Sequence, residues 1–291
     1  MNRETTMKSS FEEALFAEIE LFEDSRLKDA ALYAHEGEAK RVRPLIALLI
    51  ANQLDPSYAN YHPMIALELA HTSSLILDDL PVMDNSTQRR NKPSLHVAFN
   101  EQEAILTAVG LISESYKQLH KAVEKIVDLK PKNELLHILM DALQTTAMAG
   151  GLCGAPIGQW MDLTIDRNFV VDLQVMMQKK TGVFFESAFV LGWLFGGGDR
   201  KKIDQVKLAA KSFGVIFQIV DDFLDYAEDL KERPRANYVI QNGVKSSIDL
   251  LEKEKERLEA LFDELGLTKL LKALLEPLES RLLAIQPIPC Y

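Results

Sequence analysis

Two short stretches put carboxylates where they would not ordinarily be left. In Phe217-Gln218-Ile219-Val220-Asp221-Asp222-Phe223-Leu224-Asp225, three aspartates sit in an otherwise apolar run. At helical spacing Gln218, Asp221, Asp222 and Asp225 fall at i, i+3, i+4 and i+7, on one face. Carboxylates crowded among apolar side chains repel one another and resist ionisation unless something positive lies between them. Removing an unpaired ion from water costs several kcal/mol. The second stretch, Ile76-Leu77-Asp78-Asp79-Leu80-Pro81-Val82-Met83-Asp84, poses the same problem. A divalent cation or a basic cluster would resolve it in both places. The alternating run Glu252-Lys253-Glu254-Lys255-Glu256 differs, because nothing apolar closes in and it reads as a solvated face.

The chain also places cations where anions would be welcome. Lys40-Arg41-Val42-Arg43-Pro44 precedes the apolar run Leu45–Leu54, and Pro44 suits the first turn of a helix. A helix N-terminus already favours anions, so an anionic ligand there would satisfy both dipole and side chains. A surface patch paired with nearby acids is the plainer reading of that cluster alone. Asp78 and Asp84 are six apart, which is not one face of a straight helix. Pro81 ends or bends the helix between them and lets Asp84 swing back. A polar loop follows with Arg89-Arg90, so acids are succeeded at once by paired guanidiniums, a pattern suited to a metal-bridged polyphosphate. His71 lies on the same helical side as Ser74, Leu75 and Asp78, although a histidine in that position is more often structural than a ligand.

These residues need elements to position them, and the periodicity is helical throughout. Helices are expected around Phe11–Phe22 with Ser9 or Ser10 as cap, and over Leu45–Leu54, Ile65–Leu80, Glu103–Leu119, Asn133–Met148, Leu173–Gly192 and Ile203–Asp225. Two amphipathic helices broken near Gly266 complete the tail. Gly150–Gln159 is glycine-rich but lacks the lysine of a phosphate loop, so it reads as a turn or close helix contact. No run alternates with period two, which predicts no sheet. One all-α domain over residues 1–291, a helical bundle, is the expected fold. Hydrophobic residues make up 47% of 291, enough for a large core, and a net charge of −10 argues against nucleic-acid binding. Cys153 and Cys290 show no metal-ligand spacing and suit a reduced, cytoplasmic protein. The run Ser187–Gly198 is too short to span a bilayer, which argues against stable membrane insertion.

Taken together, the motifs resemble those of the trans-isoprenyl (polyprenyl) diphosphate synthases, the farnesyl and geranylgeranyl diphosphate synthase type. Asp78-Asp79-x-x-x-x-Asp84 with Arg89-Arg90 is similar to the family's first aspartate-rich motif, and Asp221-Asp222-x-x-Asp225 after Phe217-Gln218 to its second. Lys40-Arg41-x-Arg43-Pro44, His71, Phe99-x-Glu101, Gly154-x-x-x-Gly158-Gln159-x-x-Asp162-Leu163 and Lys180-Thr181-Gly182 match further motifs in order. The resemblance covers about Lys40 to Asp225.

The resemblance implies the isoprenoid synthase fold, a helical bundle around a deep central cavity, usually as a homodimer. It implies a prenyltransferase that condenses isopentenyl diphosphate with an allylic diphosphate (dimethylallyl, geranyl or farnesyl). Asp78, Asp84, Asp221 and Asp225 would hold Mg2+, with Asp79 and Asp222 as supporting neighbours. Arg89 and Lys180 would bind the allylic diphosphate, and Lys40, Arg43, His71 and Arg90 the diphosphate of isopentenyl diphosphate. Lys180, Thr181 and Gln218 would serve the reacting centre. Side chains about one turn before the first aspartate line the family's pocket, and here they are Ser73 and Ser74. Small residues there favour geranylgeranyl over farnesyl as product. The chain departs from the family pattern in having Asn91 in place of a glycine. It also lacks the glycine-lysine pair after the second motif, where Lys231, Arg233 and Arg235 are the available cations. Two other readings stand beside this one. The altered loop suits a catalytically impaired partner subunit of a synthase. An aspartate-rich helical site also suits a terpene cyclase, although a cyclase has no second diphosphate for Lys40, Arg43, His71 and Arg90 to hold.

Overall fold

The computed structural model describes residues 3–165 and 171–283. The expected helices are present, several of them longer than the periodicity suggested. In order they are α1 (Arg3–Glu20), α2 (Arg26–His35), α3 (Val42–Leu54), α4 (His62–Asp78), α5 (Leu95–Ala98), α6 (Glu101–Glu124), α7 (Lys132–Gly150), α8 (Ala155–Thr164), α9 (Leu173–Met177), α10 (Val183–Phe195), α11 (Ile203–Leu224), α12 (Tyr226–Glu232), α13 (Tyr238–Asn242), α14 (Val244–Leu265) and α15 (Leu271–Leu283). Ser9 and Ser10 do not cap α1, which begins before them; Ser9 Oγ instead donates to Glu13 one turn on. The last residues of the tail, Cys290 among them, lie outside the described residues.

The helix ends follow ordinary capping chemistry. Asn100 caps α6 by accepting from Glu103 N at 2.8 Å, satisfying one of the orphan donors of the first turn. Gly266 closes α14 in the left-handed region at φ 71°, and Leu267 N returns to Phe262 O at 2.8 Å.

α10 sits at the centre. Almost every side chain from Phe184 to Phe195 is buried, Glu186 excepted, as expected for a helix apolar on all sides. It packs on α3, α4, α7 and α11, while α4 lies along α6 and α11 along α14. One contiguous apolar core runs from Phe11 to Leu278. Within it Phe185, Phe189, Phe213 and Phe262 form a chain of tilted or edge-on ring pairs, with centroids 5.1–6.1 Å apart. No helix among the described residues is long and apolar enough to cross a membrane.

The expectation of no sheet needs a small correction. Gln88–Arg89 and Lys92–Pro93 form a two-residue antiparallel ladder. Its turn residues Arg90 and Asn91 both have positive φ, 55° and 62°, the signature of a type I′ hairpin turn. Asn91 tolerates that conformation, which accounts for an asparagine where the family carries glycine. Arg90 is not a residue that favours it, so no turn signal marked the hairpin.

Gly192 lets α10 approach α3 closely: a Cβ there would lie 2.5 Å from Ala47 O and 2.9 Å from Ala47 Cα. Gly192→Leu should therefore cost about 1–3 kcal/mol by overpacking and lower the urea midpoint. Gly110→Ala, exposed on α6 with nothing within 4 Å, should raise that midpoint through helix propensity, by about 0.5–1 kcal/mol.

Candidate active site

The first aspartate motif is built by the end of α4. The helix stops at Asp78, the chain turns through Pro81, and Asp84 N donates to Asp78 O at 2.9 Å. The proline break therefore returns Asp84 beside Asp78, as the spacing predicts. Asp79, buried between them, is held by Arg89, whose Nε lies 3.1 Å from Oδ2 and whose Nη2 also bonds the carboxylate. Asp84 is exposed and accepts from Gln159 Nε2 of α8 at 2.9 Å. Burial is the main cause that pushes the Asp78 carboxyl up to about 6, with Asp84 adding to it and Lys180 opposing it.

Beneath Asp78 lies a cavity of about 280 Å³, near the lower end of ordinary ligand pockets (roughly 300–1,000 Å³). Asp78, Lys180 and Gln159 stand at its polar end. Ser73 and Ser74 line it, their hydroxyls returned to Ala70 O and His71 O at 2.8 Å, so each presents a small wall. Beyond them the lining comes from Ile112 and Tyr116 of α6 and Thr146 of α7. These residues carry no motif, and no spacing or composition signal marked them.

Lys180 and Thr181 lie on a π-helical segment, Gln178–Gly182, that joins α9 to α10. The single helix expected over Leu173–Gly192 is thus interrupted at the residues of interest, a frequent feature of functional sites. Two glycines shape it. A Cβ at Gly158 of α8 would lie 2.2 Å from Lys180 N, and one at Gly182 would strike the Gln178 amide. Lys180 Nζ bonds Asp162, which Arg233 also grips with Nη2 2.9 Å from Oδ1. Burial would raise the Asp162 pKa, but Lys180 and Arg233 outweigh it and hold the carboxyl below its usual range.

The second motif ends α11. Asp222 is buried and turned toward the following loop, accepting from Tyr238 N at 2.7 Å and from Gln218 Nε2 at 2.9 Å. Burial still lifts its pKa to about 7. Gln218 therefore spends its amide donor on Asp222. Asp225 is exposed at the end of α11, and burial with the charges of Asp221 and Asp229 raises its pKa. Asp221 accepts from Arg281 Nη2 of α15 at 2.6 Å, a contact the sequence did not signal.

The cations of the α3 region form a separate group. Arg43 Nη1 lies 3.1 Å from His71 Nε2, and its guanidinium lies over the Phe185 ring at 4.7 Å. Burial lowers the Arg43 pKa to about 10, so it stays charged at neutral pH; burial and then Arg43 hold His71 well below the imidazole range, hence neutral. His71 packs at 5.2 Å against Phe184, and Phe184 lines the cavity, so this group stands one ring away from it. Lys40 is exposed. Arg41, given no role by the sequence, is buried at φ 52°. It bonds Glu68 and His35 O and donates to Glu12 at 3.2 Å. Arg90 lies 3.7 Å from the same buried Glu68.

A family model for polyprenyl synthetases matches residues 24–240. The chain belongs to that family. It is 34% identical over 225 residues to geranylgeranyl pyrophosphate synthase 4 of Arabidopsis thaliana, covering 75% of this chain and 58% of that one. It is 33% identical over 241 residues to the heterodimeric geranylgeranyl pyrophosphate synthase large subunit 2 of the same plant, covering 80% and 60%. The chain thus spans about three fifths of the length of these curated relatives. Among solved structures, an FPP/GFPP synthase from Zymomonas mobilis superimposes with a TM-score of 0.78 at 27% identity over 92% of this chain and 97% of that one. A geranyltranstransferase from Thermotoga maritima gives 0.74 at 28%, over 96% and 100%. The all-α bundle is thus the isoprenoid synthase fold.

Members of this family imply a magnesium site. Among the described residues no three acidic, histidine or cysteine side chains converge tightly enough to cage a metal alone. Mg2+ does not require that: it takes hard oxygen ligands, commonly one or two carboxylates, and completes its shell with substrate phosphates and water. Asp78 and Asp84, brought together and left without a salt-bridged cation among the described residues, fit that demand, and so does Asp225.

Because the folded state holds a proton on Asp78 more tightly than the unfolded chain does, stability is lost as pH rises from about 4 toward 6, and Asp222 extends that window to about 7. In chelator, Asp78→Asn should melt near wild type at pH 4 and above it at pH 7, by no more than about 3 kcal/mol. Thermal melts across that range measure the gap.

Proposed function

We propose that this chain is a magnesium-dependent trans-prenyltransferase that condenses isopentenyl diphosphate with an allylic diphosphate and favours geranylgeranyl over farnesyl diphosphate. The observation that carries the reading is one apolar cavity with two separate polar groups near it. Asp78 and Lys180 line the cavity, and Arg43 with neutral His71 stands behind the Phe184 ring, outside the lining. A site for one diphosphate does not need the second group.

Bound Mg2+ would neutralise the leaving diphosphate and polarise its C–O bond. Asp78 and Asp84 from the first motif, and Asp221 and Asp225 from the second, would hold magnesium ions whose remaining ligands come from the diphosphate and water. Lys180 and Arg233, both already gathered on Asp162, bring positive charge beside the allylic diphosphate; Arg233 takes the place of the missing lysine in the loop. Arg89 is bound to Asp79, so it acts on that diphosphate while fixing the motif. Arg43, His71, Arg90 and Lys40 orient the second diphosphate. When the allylic C–O bond breaks, the π-segment around Thr181 and the carbonyl oxygen of Gln218 offer dipoles to the cation in a dry pocket. The double bond of isopentenyl diphosphate then forms the new C–C bond, and the proton lost goes to the departing diphosphate. The walls at Ser73 and Ser74 leave the tail room to extend toward Ile112 and Tyr116.

A homodimer of one-domain subunits is part of this reading. Ile105, Val109 and Ile112 repeat at i, i+4 and i+7 on α6 and are all more than a third exposed, as are Leu136 and Met140 on α7. Among the described residues Cys153 is a free, exposed thiol, and a reducing, cytoplasmic setting is part of this reading.

Purified protein with magnesium, radiolabelled isopentenyl diphosphate and each allylic primer should give elongated products. Hydrocarbon from a primer alone would indicate a cyclase instead, and silence a partner subunit like those implied by heterodimeric relatives. Asp78→Ala should abolish turnover with the circular dichroism unchanged; normal turnover would remove the metal role. Ser73→Tyr should shorten the product on chromatography, and an unchanged length would show that Ser73 does not limit the pocket.

A further inference from the structure

Arg281 reaches the second aspartate motif from 60 residues away in sequence. Its Nη2 lies 2.6 Å from Asp221 Oδ1, and its guanidinium stands 5.9 Å from the centre of the Phe217 ring. The pair is half-buried, with side-chain exposures of 31% and 27%. Asp221 thereby differs from Asp78 and Asp225, which have no salt-bridged cation among the described residues. It also differs from Asp79, whose cation Arg89 comes from the hairpin after the first motif, and from Asp162, which shares Lys180 and Arg233.

A cation and this guanidinium compete for one carboxylate. Magnesium takes an oxygen at about 2.0–2.1 Å with little tolerance in geometry. On Oδ1 it would displace the arginine outright. On Oδ2 it would face a second positive charge across three atoms, and each would weaken the other. Among the described residues Arg281 is held by the Asp221 ion pair and the Phe217 ring alone. Arg281 lies in the last turn of α15, beyond Pro277, which supplies no N–H to the preceding turn and so weakens the helix just before it. On another side of α15 an open groove of about 750 Å³ lies between that helix and α1 and α3, lined by Met7, Asn52, Gln53, Pro277 and Ser280. Among the described residues that groove leaves the last turn room to shift.

We propose that Arg281 is a built-in counter-ion that occupies Asp221 in the metal-free protein and is displaced as the metal loads, so that α15 sets the cation concentration at which the second aspartate motif fills. The inference rests on Asp221 being a metal ligand, and the test separates the two. Mn2+ alone, a hard cation with the same preference for oxygen ligands, is titrated into the full chain at low ionic strength and read by electron paramagnetic resonance. Arg281→Gln should tighten Mn2+ binding by about two- to fivefold, the range expected for removal of a half-exposed ion pair. Arg281→Met, which keeps an apolar stem against Phe217, should do the same and serves if the glutamine variant does not fold. Asp221→Asn should weaken binding. Unchanged or weaker binding in the Arg281 variants, with Asp221→Asn weakened, overturns the counter-ion. Unchanged binding in Asp221→Asn overturns the assignment of Asp221 itself, and with it the counter-ion.

Discussion

Taking a carboxylate out of water costs several kcal/mol unless a cation or a set of N–H groups goes with it. This chain takes several out of water, and the rest of the site is arranged by how each is compensated. Asp79 receives Arg89, Asp162 receives Lys180 and Arg233, Glu68 receives Arg41, and Asp222 receives a backbone N–H and the Gln218 amide. Each pairing fixes two elements at once. Arg89 ties the hairpin to the end of α4; Lys180 ties the π-segment to α8; Arg41 ties the start of α3 to the middle of α4. The charges are thus the joints of the bundle near its mouth, where apolar packing runs out.

Small residues allow those joints to close. Gly158 lets α8 lie against the backbone of Lys180, and Gly182 relieves the crowding where the helix widens into its π-turn. Ser73 and Ser74 satisfy their own hydroxyls within α4, which leaves volume rather than polarity on the cavity side. The same side chains that permit close helix approach therefore leave the space that a growing apolar tail would fill.

Much of this could be read from the chain. The proline between Asp78 and Asp84 foretold the turn that joins them, because a helix cannot carry both on one face and a break can. A helix was expected over Leu173–Gly192, but periodicity could not say that its second half would be buried on every side at the centre of the bundle. What remained hidden depended on partners distant in sequence. Nothing local to Asp221 pointed to Arg281, and nothing local to Glu68 pointed to Arg41 and Arg90. The π-segment was hidden for a different reason: Lys179-Lys180-Thr181-Gly182 has ordinary helix character, and α8 and α11, which pack against the segment, are distant in sequence. The hairpin at Arg90-Asn91 was masked by an arginine in a conformation that arginine rarely takes.

The compensated acids also identify the uncompensated ones. Among the described residues Asp78, Asp84 and Asp225 have no salt-bridged cation, and Asp84 has only a neutral amide. They are not the least crowded: burial and neighbouring acids push up Asp78 and Asp225. A fold that supplies arginine or lysine to Asp79, Asp162 and Glu68 could have supplied one here, and several cations are near. Leaving Asp78 open while closing its neighbours is costly in the empty protein, because burial raises its pKa; Asp84 and Asp225 are exposed and bear that cost less. The distribution of salt bridges therefore separates Asp79, which Arg89 closes, from Asp78 and Asp84, which stay open to a ligand; in the proposed reading Asp221 joins them only after it releases Arg281.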